Sequence, residues 1–370
     1  MVKRCASSKV WAFTLVEVLI AGGVTLLLAG VLFAVVTQSA ESVSAARSNA
    51  DEFQQAQRAF DTLTFRIGQA TLNNYRDSII VNNRIQPYQR MSELRFICGP
   101  MQCGTNPLDG KSVKERPGHG IFFQATSGRP GVLLDPTLIG LENLVNTWGY
   151  FVEVGAEIMP PPSFLPPETA RRIAPRLMEL REPAERLSIY GYTSGKPDFG
   201  SPDKPKTILD YTGFEWFRDP LAQPGLLQEL AENIALLLVV PKLTPQETGR
   251  LAPGATVEQR DALLAPHLFY HSGALPPPGT PPARNMHHRL PATVELTMVA
   301  LDGATVARLY GRDALDPFNL RDAFHEALDL RRELQIDPAQ PEADSLERRL
   351  IAAHAHYRLF TTVVPIRAAQ

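Results

Sequence analysis

Phe13-Thr14-Leu15-Val16-Glu17-Val18-Leu19-Ile20 opens an apolar run that ends near Val36, behind a short basic head, residues 1–12. No charged residue occurs from Val18 to Val36. With Phe13 to Glu17 the run has about 24 residues, roughly 36 Å as a helix, which suits a bilayer core of about 30 Å. Its one carboxylate, Glu17, stands near its start. A carboxylate at membrane depth is costly, so it marks a candidate functional residue. A secretory signal has a shorter apolar region, about 7–15 residues, closed by a small-residue cleavage site. Here the run is longer, and Ser39-Ala40-Glu41 is a weak cleavage candidate. Lys3, Arg4 and Lys9 place the head in the cytoplasm by the positive-inside tendency, with the bulk of the chain on the other side.

Beyond Val36 the helical signal continues. Val43, Ala46, Ala50, Phe53, Ala56, Phe60, Leu63, Ile67 and Ala70 recur every three or four residues, the spacing of one helical face. The spacing predicts one helix from Phe13 to about Leu72, weakened by Gly68 and stopped by Asn73-Asn74. Residues 13–36 read as its transmembrane part. Residues 37–75 read as an amphipathic continuation packed on a globular domain, residues 76–370. Gly22-Gly23 and Gly30 either let neighbouring helices approach closely or reflect the glycine frequency of membrane helices.

After residue 75 short apolar runs alternate with turns. Strands are expected at Ser78–Val81, Leu94–Cys98, Gly120–Ala125, Trp148–Val154, Leu187–Tyr192, Ile234–Val240, Thr293–Leu301 and Leu359–Arg367. Thr293–Met298 alternates as a half-buried strand does, and Asp302-Gly303 reads as a turn after it. Ile234–Val240 is continuously apolar and reads as a central strand. Two helices are expected late, Arg321–Leu334 and Ser345 to about Tyr357, the second with Ser345 as N-cap and no full capping box. The fold class is α+β, a long N-terminal helix against a mostly antiparallel sheet. Proline, 32 residues in all, concentrates in two stretches, near 159–183 and 275–291. The first is followed by Arg-rich, helix-forming text up to Arg186. Both stretches read as surface excursions, either partner-binding loops or plain insertions. An inserted lobe between about 155 and 230 is a further expectation.

The 370 residues carry a formal charge of −2. Loss of residues 1–12 removes Lys3, Arg4 and Lys9 and no anion, leaving −5. A mildly acidic chain gives no electrostatic case for nucleic-acid binding. Of the three cysteines, Cys5 lies in the head. Cys98 and Cys103 remain, and they read either as a disulfide closing a tight turn in an oxidising compartment or as two free thiols. Only His119 stands near them as a metal ligand, and no second Cys pair exists, so no metal is expected. Among the eight histidines, His267 and His271 are four apart, which suits a metal only on a helix that Pro266 and Ser272-Gly273 disfavour. His354 and His356, two apart on the expected last helix, point to different faces. No nucleophile elbow, P-loop or dinucleotide fingerprint occurs, so the chain reads as a non-enzyme without a cofactor or catalytic residue.

The basic head, the Phe13-Thr14-Leu15-Val16-Glu17 block and the apolar helix together resemble the type IV prepilin family, which includes the pseudopilins of type II secretion. The family's small residue before Phe is nearly always Gly, and here it is Ala12. The resemblance implies cleavage between Ala12 and Phe13 by a prepilin peptidase and N-methylation of the Phe13 amine. It also implies an assembly role for Glu17 as the fifth residue of the mature chain, pairing with a neighbouring subunit's freed ammonium. Leu290–Asp302 and Arg58–Ile67 look like segments of J-type minor pseudopilins, and Glu17 is unlike the K-type, which usually lacks this carboxylate. Tyr357–Arg367 is similar to the Verru_Chthon cassette protein C family, prepilin-type proteins of Verrucomicrobia. The implied partners are prepilin peptidase, other pseudopilin or cassette subunits and the inner membrane. The implied location is single-pass in the inner membrane with a periplasmic C-terminal domain, and after assembly on a filament or at the surface. The alternative is a membrane-tethered extracytoplasmic binding protein or adhesin that does not polymerise.

Overall fold

A computed structural model describes residues 14–81, 84–92, 94–101, 108, 116–126, 145–156, 172–183, 192–193, 196–197, 215–274, 287–311, 314–338 and 343–369. It is an α+β fold with an N-terminal apolar helix and an antiparallel sheet domain. Helix α1 covers Leu15–Ile67. The chain divides into two compact units, Met1–Asp51 and Glu52–Gln370, so α1 belongs to both.

In the first unit Leu15–Ala40 has a mean hydropathy of 2.6, and none of it is buried. By length and composition it is suited to cross a membrane. In the second unit Ala56, Ala59, Phe60, Leu63 and Ile67 are buried, the expected apolar face at its expected spacing, while Phe65 between them is 60 % exposed. The helix ends at Ile67, before the expected Leu72. The Gly68 and Gln69 amides donate to Thr64 and Arg66 carbonyls in a closing turn, and Ala70 bridges to Ala125.

Two ribbon strands follow, β1 (Tyr75–Val81) and β2 (Arg84–Met91), paired antiparallel. Next come β3 (Phe96–Pro100), β4 (His119–Ala125), β5 (Asn146–Ala156) and β6 (Ile173–Glu182). The short β7 (Tyr192–Thr193) and β8 (Lys196–Pro197) pair with each other, and α2 is Glu215–Leu221. They are followed by β9 (Leu227–Glu232), β10 (Ile234–Lys242), α3 (Pro245–Leu251), α4 (Val257–Asp261) and β11 (Tyr270–His271). The chain closes with β12 (Thr293–Leu301), α5 (Gly303–Leu309), α6 (Leu330–Leu334), α7 (Leu346–Ala352) and β13 (Tyr357–Pro365). One sheet has the order β11-β3-β4-β5-β6-β9 and the other β10-β12-β13, with antiparallel pairing throughout.

The three-stranded sheet separates two apolar cores. Val294, Leu296, Met298, Phe360 and Val364 join α1 and the six-stranded sheet in the first core. Leu236, Leu238, Val240, Val299 and Leu301 meet Val306, Phe324 and Leu350 from the C-terminal segments in the second. This corrects the reading of Ile234–Val240 as a central strand. β10 is an edge strand by hydrogen bonding, and it is apolar throughout because both its faces are covered.

Other expectations change as well. The Arg-rich text before Arg186 is not helical. Ile173–Glu182 is a nearly fully buried inner strand whose Arg176 pairs with Glu229 at 3.6 Å. Asp302-Gly303 is no turn, since Asp302 caps α5 by accepting the Thr305 amide at 2.9 Å. Residues 321–329 form turns in place of a helix from Arg321, and only Leu330–Leu334 is helical. α7 starts after Ser345, whose hydroxyl accepts the Arg348 amide as expected, and it ends at Ala352, so His354 and His356 lie beyond it. The strand expected at Leu187–Tyr192, both proline-rich stretches and the expected 155–230 lobe fall largely outside the described residues.

Candidate functional site

The first turn of α1 explains Glu17 locally. Glu17 Oε2 accepts from the Thr14 amide at 2.9 Å and the Thr14 hydroxyl at 3.0 Å. The Glu17 amide in turn donates to the Thr14 hydroxyl at 3.3 Å. Thr and Glu three residues apart, bonded reciprocally, are a capping box, which satisfies amides that a helix start leaves open. The sequence reading singled out Glu17 and missed Thr14, although Thr-x-x-Glu ahead of an apolar run is the signature of that box. Gly22, Gly23 and Gly30 have nothing within 4 Å of where a Cβ would stand. Ala12, Phe13, Lys3, Arg4 and Lys9 lie outside the described residues.

At the other end of α1, polar contacts fix the helix on the domain. Glu52 accepts the Gly303 amide at 2.7 Å, at the start of α5. Arg172 donates to Asn233 Oδ1 and to the Gly303 carbonyl, both at 3.1 Å. Arg66 donates to the Tyr150 hydroxyl at 2.8 Å and forms an ion pair with Glu179, and its guanidinium lies 4.0 Å from the centre of the Trp148 ring. Tyr150 also donates to Glu179 at 3.1 Å. Burial, with the Glu179 charge beside it, pushes the Tyr150 hydroxyl well above its ordinary range, so it stays a donor. The sequence placed Arg66 on a helix but gave no sign of partners on strands 84 and 113 residues away.

Cys98 is fully buried in β3 with its thiol free, and burial pushes that thiol upward. Cys103 lies outside the described residues, so of the two readings, bridge or free thiols, the structure shows only the free Cys98 thiol. His119 is structural. Its Nδ1 accepts the Val239 amide at 3.1 Å and its Nε2 donates to the Phe324 carbonyl at 2.8 Å, closing the open edge of β10. Burial holds it neutral, with a pKa lowered to about 4. His267 and His271 share no helix. His267 bonds Glu326 at 2.8 Å and His271 lies in β11. Among the described residues no group of three His, Cys, Asp or Glu is placed to hold a metal ion.

No family model matches the chain, and neither a curated protein nor a solved structure matches it.

Proposed function

We propose that the chain is a minor pseudopilin or minor pilin subunit, processed by a prepilin peptidase and assembled through its N-terminal helix into a type II secretion or pilus-like filament. One observation carries this reading. A single helix, α1, leaves its apolar half wholly uncovered, with Glu17 at its start, and seats its other half in an antiparallel sheet domain. Uncovered apolar surface of that extent needs a bilayer or neighbouring helices. In such a filament Glu17 is the group available to a neighbour's Phe13 ammonium, because an isolated charge of either sign is costly in low dielectric. The globular domain, about 300 residues, suits a tip or rare subunit better than a repeated shaft.

The second reading is a membrane-tethered extracytoplasmic binding protein. The Thr14–Glu17 box favours it, since a carboxylate that caps its own helix has a use without any partner.

Two experiments separate them. Intact mass and N-terminal sequencing of protein extracted from its native membrane should give a chain beginning at N-methyl-Phe13, and a chain beginning at Met1 would overturn the processing step. Glu17→Leu should then be cleaved and exported normally but absent from filaments. Unchanged incorporation would leave the tethered reading standing.

A further inference from the structure

The three-stranded sheet has two edges, and they differ. At β10 the Val239 amide is taken by the buried ring of His119 at 3.1 Å. β13, nine residues long, forms the other edge, and no described strand pairs with its outer side. Bonded pairs alternate along an antiparallel ladder, so parity shows which backbone groups are left over. The Ile366 amide donates to the Ala292 carbonyl at 3.1 Å, and the Asp302 amide to the His356 carbonyl at 3.0 Å. The register between these two bonds has no shift. The even-numbered residues of β13 therefore bond to β12, and Tyr357, Leu359, Thr361 and Val363 turn their amides and carbonyls outward.

The outer side ends where the fold closes it. Pro365, next in the outward series, has no amide hydrogen to offer. The Arg367 amide after it donates to the Gly68 carbonyl at 3.3 Å. Between Tyr357 and Val363 no outward amide or carbonyl has a backbone partner among the described residues.

The side chains leave this stretch unguarded. Native sheet edges are blunted by charge, bulges or cover. Here Arg358 is the one charged residue from Tyr357 to Pro365. Leu359, Thr361 and Val363 share a face with Val299 and Leu301 of β12, which the second core buries. That core stops short of them, and all three are exposed, Val363 by 52 %.

β13 is also complementary to itself. Set antiparallel to a copy with Thr361 opposite Thr361, its outward residues meet outward residues, and Leu359 faces Val363 on both sides of the centre. Each of these pairs can exchange both of its backbone bonds. Aliphatic side chains exposed in one copy then lie beside those exposed in the other. Arg358 falls opposite Val364, so no like charges oppose each other.

We propose that a second copy of this chain pairs with β13 antiparallel, about a twofold axis at Thr361, and joins the two three-stranded sheets into one. The joined sheet ends at β10 in each copy, where His119 stands, so the assembly is a closed pair with one isologous interface. The surface uses no residue of Leu15–Ala40 and does not rest on the filament reading.

The test is disulfide trapping of the full chain in a neutral detergent under mild oxidation. Thr361→Cys should give a disulfide-linked dimer above the level of the wild type, which carries Cys5, Cys98 and Cys103. Arg358→Cys should not, because its two copies would lie about 20 Å apart along the strands. Val363→Lys sets a charge beside Leu359 of the other copy. It should raise the dimer dissociation constant, measured by sedimentation, about tenfold or more while the melting temperature of the domain holds. No linked dimer at Thr361, equal trapping at both positions, or dimerisation untouched by Val363→Lys overturns the proposal. A photo-crosslinker placed at Val363 in native membranes should capture this same chain. Capture of a chain of another mass in its place assigns the edge to a different protein and overturns the proposal as well.

Discussion

The two halves of α1 differ in pattern and in environment: the first is apolar all round, the second on one face only. Leu19, Leu26, Leu27 and Phe33 are each more than 60 % exposed, whereas Leu63 and Ile67 are wholly buried. Covered apolar area stabilises a fold, and uncovered area does so only when another phase or another chain covers it. The buried half therefore belongs to the stability of the domain. The exposed half is left available for whatever surrounds it.

The largest expected effect follows from that contrast. Leu63→Ala removes a fully buried side chain and should destabilise the domain by about 4 kcal/mol, whereas Leu27→Ala should leave domain unfolding within about 0.5 kcal/mol. Denaturant unfolding in detergent, followed by tryptophan fluorescence, measures both. Equal losses would break the comparison, because they would make the exposed half part of the folding unit.

Acid should separate the halves next. His119 has a folded pKa of about 4 against an ordinary value of 6.5, mainly from burial. The unfolded chain therefore takes up the proton first. The stability from the neutral ring is present above about pH 6.5 and is lost as the pH falls toward 4, about 3 kcal/mol in all. His271, also lowered to about 4, acts in the same direction. Residues 1–51 contain no histidine, so α1 before Glu52 should keep its helicity over that range while the domain loses stability. Melting curves and helical circular dichroism across the range would show whether the two signals part.

The seam between sheet and helix gives a smaller effect. Arg66→Met leaves the nearly buried Glu179 with Tyr150 as its one partner among the described residues, at a cost of about 2 kcal/mol after allowance for the partial exposure of Arg66. Arg66→Lys should recover part of the loss, since it restores charge without the fork over Trp148. A lysine variant no better than the methionine one would mean that geometry, more than charge, holds this end of the helix.

What the sequence revealed divides along the same line. Local periodicity was enough for the apolar run, for the Phe53–Ile67 face and for β12, because each depends on spacing within a few residues. Ser345 was readable as a cap for the same reason. β6 was not, because Arg176, Glu179, Arg181 and Glu182 give it the look of a charged helix. Glu179 pairs with Arg66 of α1 and Arg176 with Glu229 of β9, both far away in sequence, and tertiary pairing overrode local propensity. The position of β10 at a sheet edge was equally hidden, since an apolar run reports covered faces and not hydrogen-bonding neighbours. Asp302-Gly303 was ambiguous because turns and helix starts use the same residues. The Thr14–Glu17 box is legible as Thr-x-x-Glu ahead of an apolar run, a spacing within one helical turn.

That box gives the smallest and most discriminating prediction. Thr14→Ala removes the hydroxyl that accepts the Glu17 amide and should cost the first turn about 1 kcal/mol without moving the domain's melting temperature. Glu17→Leu should loosen the same turn, because it removes the acceptor of the Thr14 amide. Hydrogen exchange at the first-turn amides, read in micelles, should therefore quicken in both variants. If only Thr14→Ala quickens it, the carboxylate contributes little to its own helix, and its presence in an otherwise uncharged run is better explained by a neighbour's charge. If both quicken it equally, local capping accounts for Glu17, and the assembly role then stands or falls on filament incorporation alone.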